Sequence, residues 1–156
     1  MTDPNTDKAR KIIRDIRYIT IATASKDAMP WNTPVFAAFD EDYNFFWGSN
    51  KDAQHSQNIR VNQNVFIVIY QSTQPAGDGV YLQAIAFELT DRKEIKKAYE
   101  LLTKRASDYP WSIEDFFGDG HPRLYKAVPE KVWMYQASKK DGKFLDTRVE
   151  VNLLTQ

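Results

Sequence analysis

The chain has 156 residues, 42% of them hydrophobic, and 21 Lys and Arg balance 21 Asp and Glu, so the formal net charge at pH 7 is zero. This size suits one domain with one core, and the balanced charge disfavours nucleic acid or an anionic membrane surface as the main partner. With no cysteine, disulfides, thiolate nucleophiles and cysteine-bound metals are excluded. No secretory signal or membrane-length apolar run is visible, so we expect one cytoplasmic domain over residues 1–156, with residues 1–8 flexible.

The first half of the chain predicts a short helix, a meander of strands and a second helix. Ile12, Ile13 and Ile16 recur at helical spacing among Lys and Arg, which is typical of an amphipathic helix. Beyond them, β-branched and small residues alternate, and polar turns such as Ser25-Lys26-Asp27 separate the extended runs. The predicted elements are a helix over Asp7–Arg17, strands over Tyr18–Ala24, Met29–Phe39 and Tyr43–Trp47, and a helix over Asp52–Val61.

The second half predicts a hairpin, a helix and two late strands. The hairpin turns at Gln74–Gly79, and Asp91 with Glu94 resembles a capping box at the start of the helix. Tyr109–Arg123 is irregular, aromatic and punctuated by Gly and Pro. The predicted elements are strands over Val65–Tyr70 and Val80–Leu89, a helix from Asp91 to about Ala106, and strands over Leu124–Ala137 and Phe144–Leu153. The fold class is therefore mainly β, an antiparallel barrel with added helices.

The segment after the aromatic strand carries the most chemical information. Ser49 or Asn50 is a candidate helix cap, and free backbone N–H groups at a helix N-terminus favour a phosphate. Side chains one turn apart would add polar groups to the same place: Ser49, Lys51, His55 and Asn58. The pattern fits equally a capped surface helix with a solvated Lys and His. Metal binding is not expected, because the two His lie far apart along the chain.

Four motifs occur in an order that resembles a known family. They are Met29-Pro30 followed by Asn32-Thr33-Pro34-Val35, the segment Trp47–Ile59 with its Ser-x-Lys-x-x-x-His pattern, Gly79–Ala84 before an acidic helix start, and Val132–Tyr135. Over about residues 9–151 this order resembles the pyridoxamine 5'-phosphate oxidase-like FMN-binding split barrels, and among them the general stress protein branch.

The resemblance implies a six-stranded split barrel that forms a homodimer, with two equivalent FMN sites at the dimer interface. Asn32, Thr33, Pro34 and Val35 would run along the isoalloxazine edge, where the prolines keep the strand from pairing fully. Trp47 and Gly48 would border the ribityl chain, and Ser49, Lys51 and His55 would bind the phosphate. Gln83 would reach across from the other subunit, and Tyr135 and Arg148 match late cofactor contacts of the oxidase. For three of these residues a structural alternative stays open: Trp47 as core, Gln83 facing solvent, and Arg148 paired with Asp146 or Glu150.

Two departures from the family pattern limit the expected function. Asp52-Ala53-Gln54 stands where the oxidase has a Ser-Arg-Lys phosphate cluster, and Phe144-Leu145-Asp146 stands where it has a substrate-binding Arg-x-His. We therefore expect an FMN-dependent oxidoreductase with an unknown small-molecule substrate, and no vitamin B6 oxidation. The alternatives are a flavin-binding or stress-response module without turnover, and a relative that uses deazaflavin or haem. No catalytic residue is assigned, although His55 or Tyr135 is where we expect any proton transfer.

Overall fold

A computed structural model describes residues 3–73 and 78–154 as one antiparallel sheet with three α-helices. The predicted mainly β class is confirmed. The helices are α1 Pro4–Asp15, α2 Gln54–Val61 and α3 Arg92–Arg105, with a 3₁₀ turn at Ile113–Phe116. The strands are β1 Tyr18–Ala24, β2 Pro30–Phe36, β3 Ala38–Phe39, β4 Phe45–Asn50, β5 Asn64–Gln71, β6 Asp78–Glu88, β7 Pro122–Lys140 and β8 Lys143–Glu150.

The sheet leaves a seam between two of its strands. Its order is β2-β1-β5-β6-β7-β4-β3, and β8 pairs with the far half of β7. The two ends of this path, β2 and β3, are joined in the chain by Ala37 alone. The sheet therefore curls round on itself without closing, and the ends of β2 and β4 face each other across the seam. The described residues form eight strands instead of the expected six, partly because the predicted strand Met29–Phe39 changes partner at Ala37, from β1 to β4.

The core follows from strict alternation along the central strands. Ile19 and Ile21 of β1, Ile67 and Ile69 of β5, and Leu82 of β6 are fully or almost fully buried. Their neighbours in sequence point to the opposite face and are half-buried or exposed. The run at 65–70, continuous in sequence, is thus one-sided in the fold, because side chains of a strand alternate between two faces.

Helix α1 begins earlier than the sequence predicts. Asp3 caps it by accepting a hydrogen bond from the Thr6 amide at 3.1 Å, and Pro4 occupies the first helical position, where proline has no N–H to lose. Thr6 is buried, so residues 3–8 include a packed helical turn, and the flexibility expected of residues 1–8 stays a prediction. At the other end, Arg105 of α3 donates to the Ile13 and Ile16 carbonyls at 3.1 and 2.8 Å, which fixes α3 against α1.

Helix α2 is the main correction to the predicted elements. It starts at Gln54, its N-cap residue is Ala53, and no side chain caps it. Ser49 and Asn50, the predicted caps, are instead the last residues of β4. The Asn50 side chain accepts from the Asp52 amide at 2.9 Å, so it closes the turn that precedes the helix. Strand β4 extends further than predicted because its backbone pairs with β7 as far as Asn50. The local sequence does not reveal this pairing.

The outer face of the sheet is rich in half-buried apolar side chains. This outer face comprises Ala22 of β1, Phe66 and Val68 of β5, Tyr81 of β6 and Trp133 of β7. Phe66 stacks on Trp133 with ring centroids 6.3 Å apart, and Tyr70 beside them is 53% exposed. The hairpin turn at residues 74–77 lies outside the described residues. Within the described ranges, no helix has both the length and the apolarity of a membrane span.

Candidate functional site

A concave feature lies at the seam between β2 and β4. It is a cleft of about 600 Å³, a size typical of small-molecule sites. One wall comes from β2, the floor from the end of β4 and the start of α2, and the opposite wall from the segment after α3. The cleft is lined by Arg17, Tyr18, Pro34, Val35, Phe36, Gly48, Ser49, Asn50, His55, Ala106, Asp108, Tyr109, Pro110 and Trp111.

Ser49 and His55 form the polar end of the cleft. The Ser49 Oγ and His55 Nε2 atoms are 2.8 Å apart, and both residues are buried. Burial lowers the pKa of the His55 imidazole below its usual value, so the ring is neutral at pH 7. A neutral ring has one N–H donor and one acceptor nitrogen, and the hydroxyl can serve either. The pair can therefore bind an oxyanion or carbonyl oxygen by hydrogen bonding, without a fixed charge.

Strand β2 presents a backbone edge to the cleft. β2 stands at the end of the sheet path, so β1 covers one of its edges and the described residues leave the other without a strand partner. Pro34 and Val35 line the cleft, whereas Asn32 and Thr33 lie just beyond it on the same strand. The prolines do not keep β2 from pairing with β1, since the register runs unbroken from Pro30 to Phe36. The free edge offers carbonyl oxygens and amides to a flat ligand.

The opposite wall is a packed aromatic cluster. Tyr109 contacts Phe36, Tyr99 and Trp111, with ring centroids 5.8 to 6.3 Å apart. The segment is secured because the Tyr99 hydroxyl donates to the Trp111 carbonyl at 3.2 Å. Gly48 allows the close approach of this wall. A Cβ atom there would collide with the Tyr109 hydroxyl and lie 2.7 Å from Trp111 Cζ3.

Several of the predicted polar residues do not join the cleft. Lys51 does not line it, and its backbone groups are used by His121 and Arg60. Asn58 is buried below α2, where it donates to Thr23 Oγ1 at 3.0 Å. Trp47 is fully buried in the core, stacked on Tyr125 with centroids 5.7 Å apart. Of the four groups expected to converge on a phosphate, the fold thus brings Ser49 and His55 together.

The remaining predicted residues lie on the other side of the sheet. Gln83 is exposed on β6 and donates to Glu130 Oε2 at 3.2 Å. Tyr135 and Arg148 are paired across β7 and β8, and the Arg148 guanidinium lies 3.9 Å from the Tyr81 ring centroid. Arg148 makes this cation–π contact, and not the ion pair with Asp146 or Glu150 that the sequence also allowed. These three residues border the apolar outer face and do not line the cleft of their own chain.

Comparison with known proteins identifies the family. Residues 5–136 match the family model described as pyridoxamine 5'-phosphate oxidase, which is most of the chain. The chain belongs to this family. The resemblance found in the sequence is therefore confirmed at the family level. Among curated proteins, none matches the chain.

Solved structures in this fold include both stress and haem proteins. General Stress Protein 26 from Bacillus anthracis is 20% identical, with a TM-score of 0.63 over 91% of this chain and 98% of that chain. The haem storage protein HutZ from Vibrio cholerae is 15% identical, with a TM-score of 0.69 over 81% and 91%. A haem-binding protein from Mycobacterium smegmatis is 17% identical, with a TM-score of 0.72 over 94% and 59%. At these identities the likeness shows the fold alone.

The departure from the oxidase's phosphate cluster can be located in the structure. Where that pattern has Ser-Arg-Lys, this pyridoxamine 5'-phosphate oxidase family member has exposed Asp52, the N-cap residue Ala53, and Gln54 bonded to Asn58 at 2.8 Å. None of the three lines the cleft or supplies a cation. The cation among the lining residues is instead Arg17, at the start of β1. Among the described residues, no group of three His, Asp or Glu is placed to hold a metal ion.

Sequence reasoning missed nine of the fourteen residues that line the cleft. Arg17, Tyr18, Asp108, Tyr109 and Trp111 line it, yet none of them belongs to a local motif. The available signal was the aromatic, Gly-containing stretch Tyr109–His121, which is compatible with a substrate lid or with a packed loop. The structure places Tyr109 and Trp111 as packed wall residues beside Gly48.

Proposed function

We propose that this protein is an FMN-binding oxidoreductase that holds the flavin in the cleft between β2 and β4. The observation that carries the proposal is the convergence of Pro34, Val35, Gly48, Ser49 and His55 on one cleft of about 600 Å³. The family resemblance assigns these same five residues to the cofactor without reference to the cleft. FMN, when bound, supplies the hydride and electron chemistry, and the protein supplies binding, orientation and electrostatics.

The two ends of the cleft suit the two ends of FMN. The open edge of β2 at Pro34 and Val35 offers main-chain groups to the polar rim of the ring. When His55 Nε2–H donates to Ser49 Oγ, the Ser49 hydroxyl is left to donate a hydrogen bond at the phosphate end, and Arg17 is the cation that lines the same cleft. A phosphate held by hydroxyl, imidazole and backbone donors needs less fixed charge than the oxidase's Ser-Arg-Lys cluster provides.

We place the complete site in a homodimer. The outer face presents Phe66, Val68, Tyr81 and Trp133 together, and such a contiguous apolar patch is typical of an isologous interface. Gln83, Tyr135 and Arg148 border this face and would reach the cleft of a second copy. The dimer thus accounts for predicted cofactor residues on both sides of one sheet.

The absorbance spectrum of the purified protein, with chromatography of the released ligand, tests the cofactor directly. Flavin bands and released FMN support the proposal. A colourless protein that fails to bind added FMN contradicts it. A deazaflavin spectrum or a Soret band would identify deazaflavin or haem as the cofactor in place of FMN. His55 Nε2 is engaged by Ser49, which disfavours it as a haem ligand. Reduction of the bound flavin by NAD(P)H then separates an oxidoreductase from a binding module.

A further inference from the structure

Tyr109 has an unused hydrogen-bond donor at the aromatic wall of the cleft. Its Oη atom is buried and donates a hydrogen bond to no group among the described residues, while the Gly48 backbone lies against the oxygen as a hydrogen-bond donor. Burial raises the pKa of the Tyr109 phenol well above its usual value, so the hydroxyl keeps its proton. An unpaired buried donor is costly, and native proteins rarely retain one without a reason.

The surroundings of this hydroxyl define what it would bind. It lies against the Gly48 backbone, and the Trp111 ring covers the same point, since a Cβ at Gly48 would lie 2.7 Å from Trp111 Cζ3. Phe36 and Trp111 both contact the Tyr109 ring and line the cleft with it, so this side of the cleft offers aromatic surface to a flat molecule. The hydroxyl itself suits a neutral acceptor such as a carbonyl oxygen, because no cation stands beside it.

We infer that the Tyr109 side of the cleft takes a planar aromatic substrate bearing a carbonyl oxygen, with the Tyr109 hydroxyl donating a hydrogen bond to that oxygen when the Trp111 ring moves aside. That the bound molecule is a substrate rests on the proposed function, in which the flavin would occupy the β2 side of the same cleft. Tyr109 is a positioning and specificity-determining residue in this assignment.

Neighbouring Tyr99 provides a matched control. It belongs to the same aromatic cluster, but its hydroxyl already donates to the Trp111 carbonyl and it does not line the cleft. Tyr109→Phe removes an unpaired donor, so it should leave the melting temperature unchanged or raised. Tyr99→Phe removes a made hydrogen bond and should lower the melting temperature. Opposite effects on melting show that the two hydroxyls differ as described.

The test measures binding of two probe ligands by isothermal titration calorimetry, on protein whose FMN content is determined in the same samples. Menadione has the carbonyl oxygens, and 2-methylnaphthalene has the same ring system without them. We expect wild type and Tyr99→Phe to prefer menadione, and Tyr109→Phe to bind menadione about tenfold more weakly with 2-methylnaphthalene unchanged.

The outcomes separate this inference from the cofactor proposal. Equal binding of the two ligands by the wild type, or an unchanged menadione affinity in Tyr109→Phe, overturns the inference even where FMN is present. Should Tyr109→Phe fail to fold, equal binding of the two ligands by the wild type still overturns the inference. Carbonyl-dependent binding by protein that takes up no FMN would support the proposed ligand class but contradict the proposed FMN-dependent oxidoreductase.

Discussion

Two regions of this molecule carry the residues assigned to the cofactor, and they differ in how the fold treats them. At the seam, Pro34, Val35, Gly48, Ser49 and His55 converge on one cleft. On the far side of the sheet, Gln83, Tyr135 and Arg148 border an apolar outer face and share no cavity with the first group. One ligand cannot touch both groups of a single chain.

The difference teaches that five of the twelve assigned residues meet within one chain, whereas Gln83, Tyr135 and Arg148 do not join them there. The cleft group is set by packing within the monomer, so under the proposed function its variants should alter FMN binding at any protein concentration. Under the same proposal the outer group would reach FMN only through a second copy, so its effects should follow the oligomeric state.

The largest expected effect comes from filling the glycine at the seam. Gly48→Val places a branched side chain where the Tyr109 hydroxyl and the Trp111 ring already lie, so the aromatic wall must shift. We expect FMN affinity to fall at least ~100-fold and the free energy of unfolding to fall by about 1–3 kcal/mol. Flavin titration and urea denaturation measure the two effects.

Gly79→Ala is the control for this variant. Its added Cβ would make ordinary contacts of 3.4 Å with the Tyr81 ring, in a strand of the same sheet. We expect little change in FMN affinity. Retention of FMN by Gly48→Val would show that the cleft at the seam is not the flavin site.

The next effect tests the outer face. Phe66→Lys puts a charge in the apolar patch beside Trp133, which an interface would have to bury without a partner. We expect the dissociation constant of the dimer, measured by analytical ultracentrifugation, to rise at least ~100-fold, with FMN lost as the dimer dissociates. Val61→Lys, on a side chain 61% exposed at the end of α2, is the matched control. A folded monomer that keeps FMN would place the whole site in one chain.

An intermediate effect compares the two predicted phosphate ligands. His55 lines the cleft and contacts Ser49, whereas Lys51 does not line it. His55→Ala should therefore weaken FMN binding about tenfold or more, and Lys51→Ala by less than about threefold. Fluorescence titration of FMN measures both. An equal loss of FMN affinity in the two variants would show that Lys51 contributes to the site. No loss of affinity in either variant would contradict the proposed phosphate site.

Mixing two defective chains sharpens the same comparison. His55→Ala and Gln83→Ala chains, unfolded together and refolded, should recover about one quarter of the wild-type FMN sites, because about half of the dimers are mixed and each has one intact site. Gln83→Ala should leave stability almost unchanged, since its hydrogen bond to Glu130 is exposed. No recovery would mean that His55 and Gln83 serve the same chain or separate functions.

The smallest effect is a pH dependence that originates at His55. Burial lowers the pKa of His55 in the folded protein, so below its usual value of 6.5 the unfolded chain binds a proton that the folded chain binds less readily. This contribution to stability is present above pH 6.5 and is lost as the pH falls through the lower, folded pKa. Urea denaturation should therefore show a lower free energy of unfolding at pH 5 than at pH 7.5, and His55→Gln should remove this difference. An unchanged difference in the variant would show that another group causes it.

Asp40 contributes in a separate window. Burial alone would raise the pKa of Asp40, but hydrogen bonds from Asn44 and Lys97 hold it below its usual 3.8. Its stabilising effect is therefore lost only as the pH falls below about 3.8. The two groups can be distinguished in one pH series.

Most strands were predictable from the sequence, because their signals are local. Alternation marks Ile19 and Ile21 as core residues, and Ser25-Lys26-Asp27 turns the first hairpin as expected. The cap of α2 was predicted wrongly, because Ser49 and Asn50 can end a strand as readily as begin a helix, and pairing with β7 decides between them. The break at Ala37 was likewise invisible, since it depends on which neighbouring strand each half meets.

The sequence by itself determined the family, the mainly β class, and five of the residues that meet in the cleft. Only the tertiary structure decided the cleft's other wall, because Tyr109 and Trp111 reach Gly48 from about sixty positions further along the chain. The tertiary structure also decided that Ser49 and His55 line the cleft whereas Lys51 does not, and that Pro34 and Arg148 lie at different places in the sheet. Spacing along a strand or helix fixes which residues share a face, but the curl of the sheet fixes which faces meet.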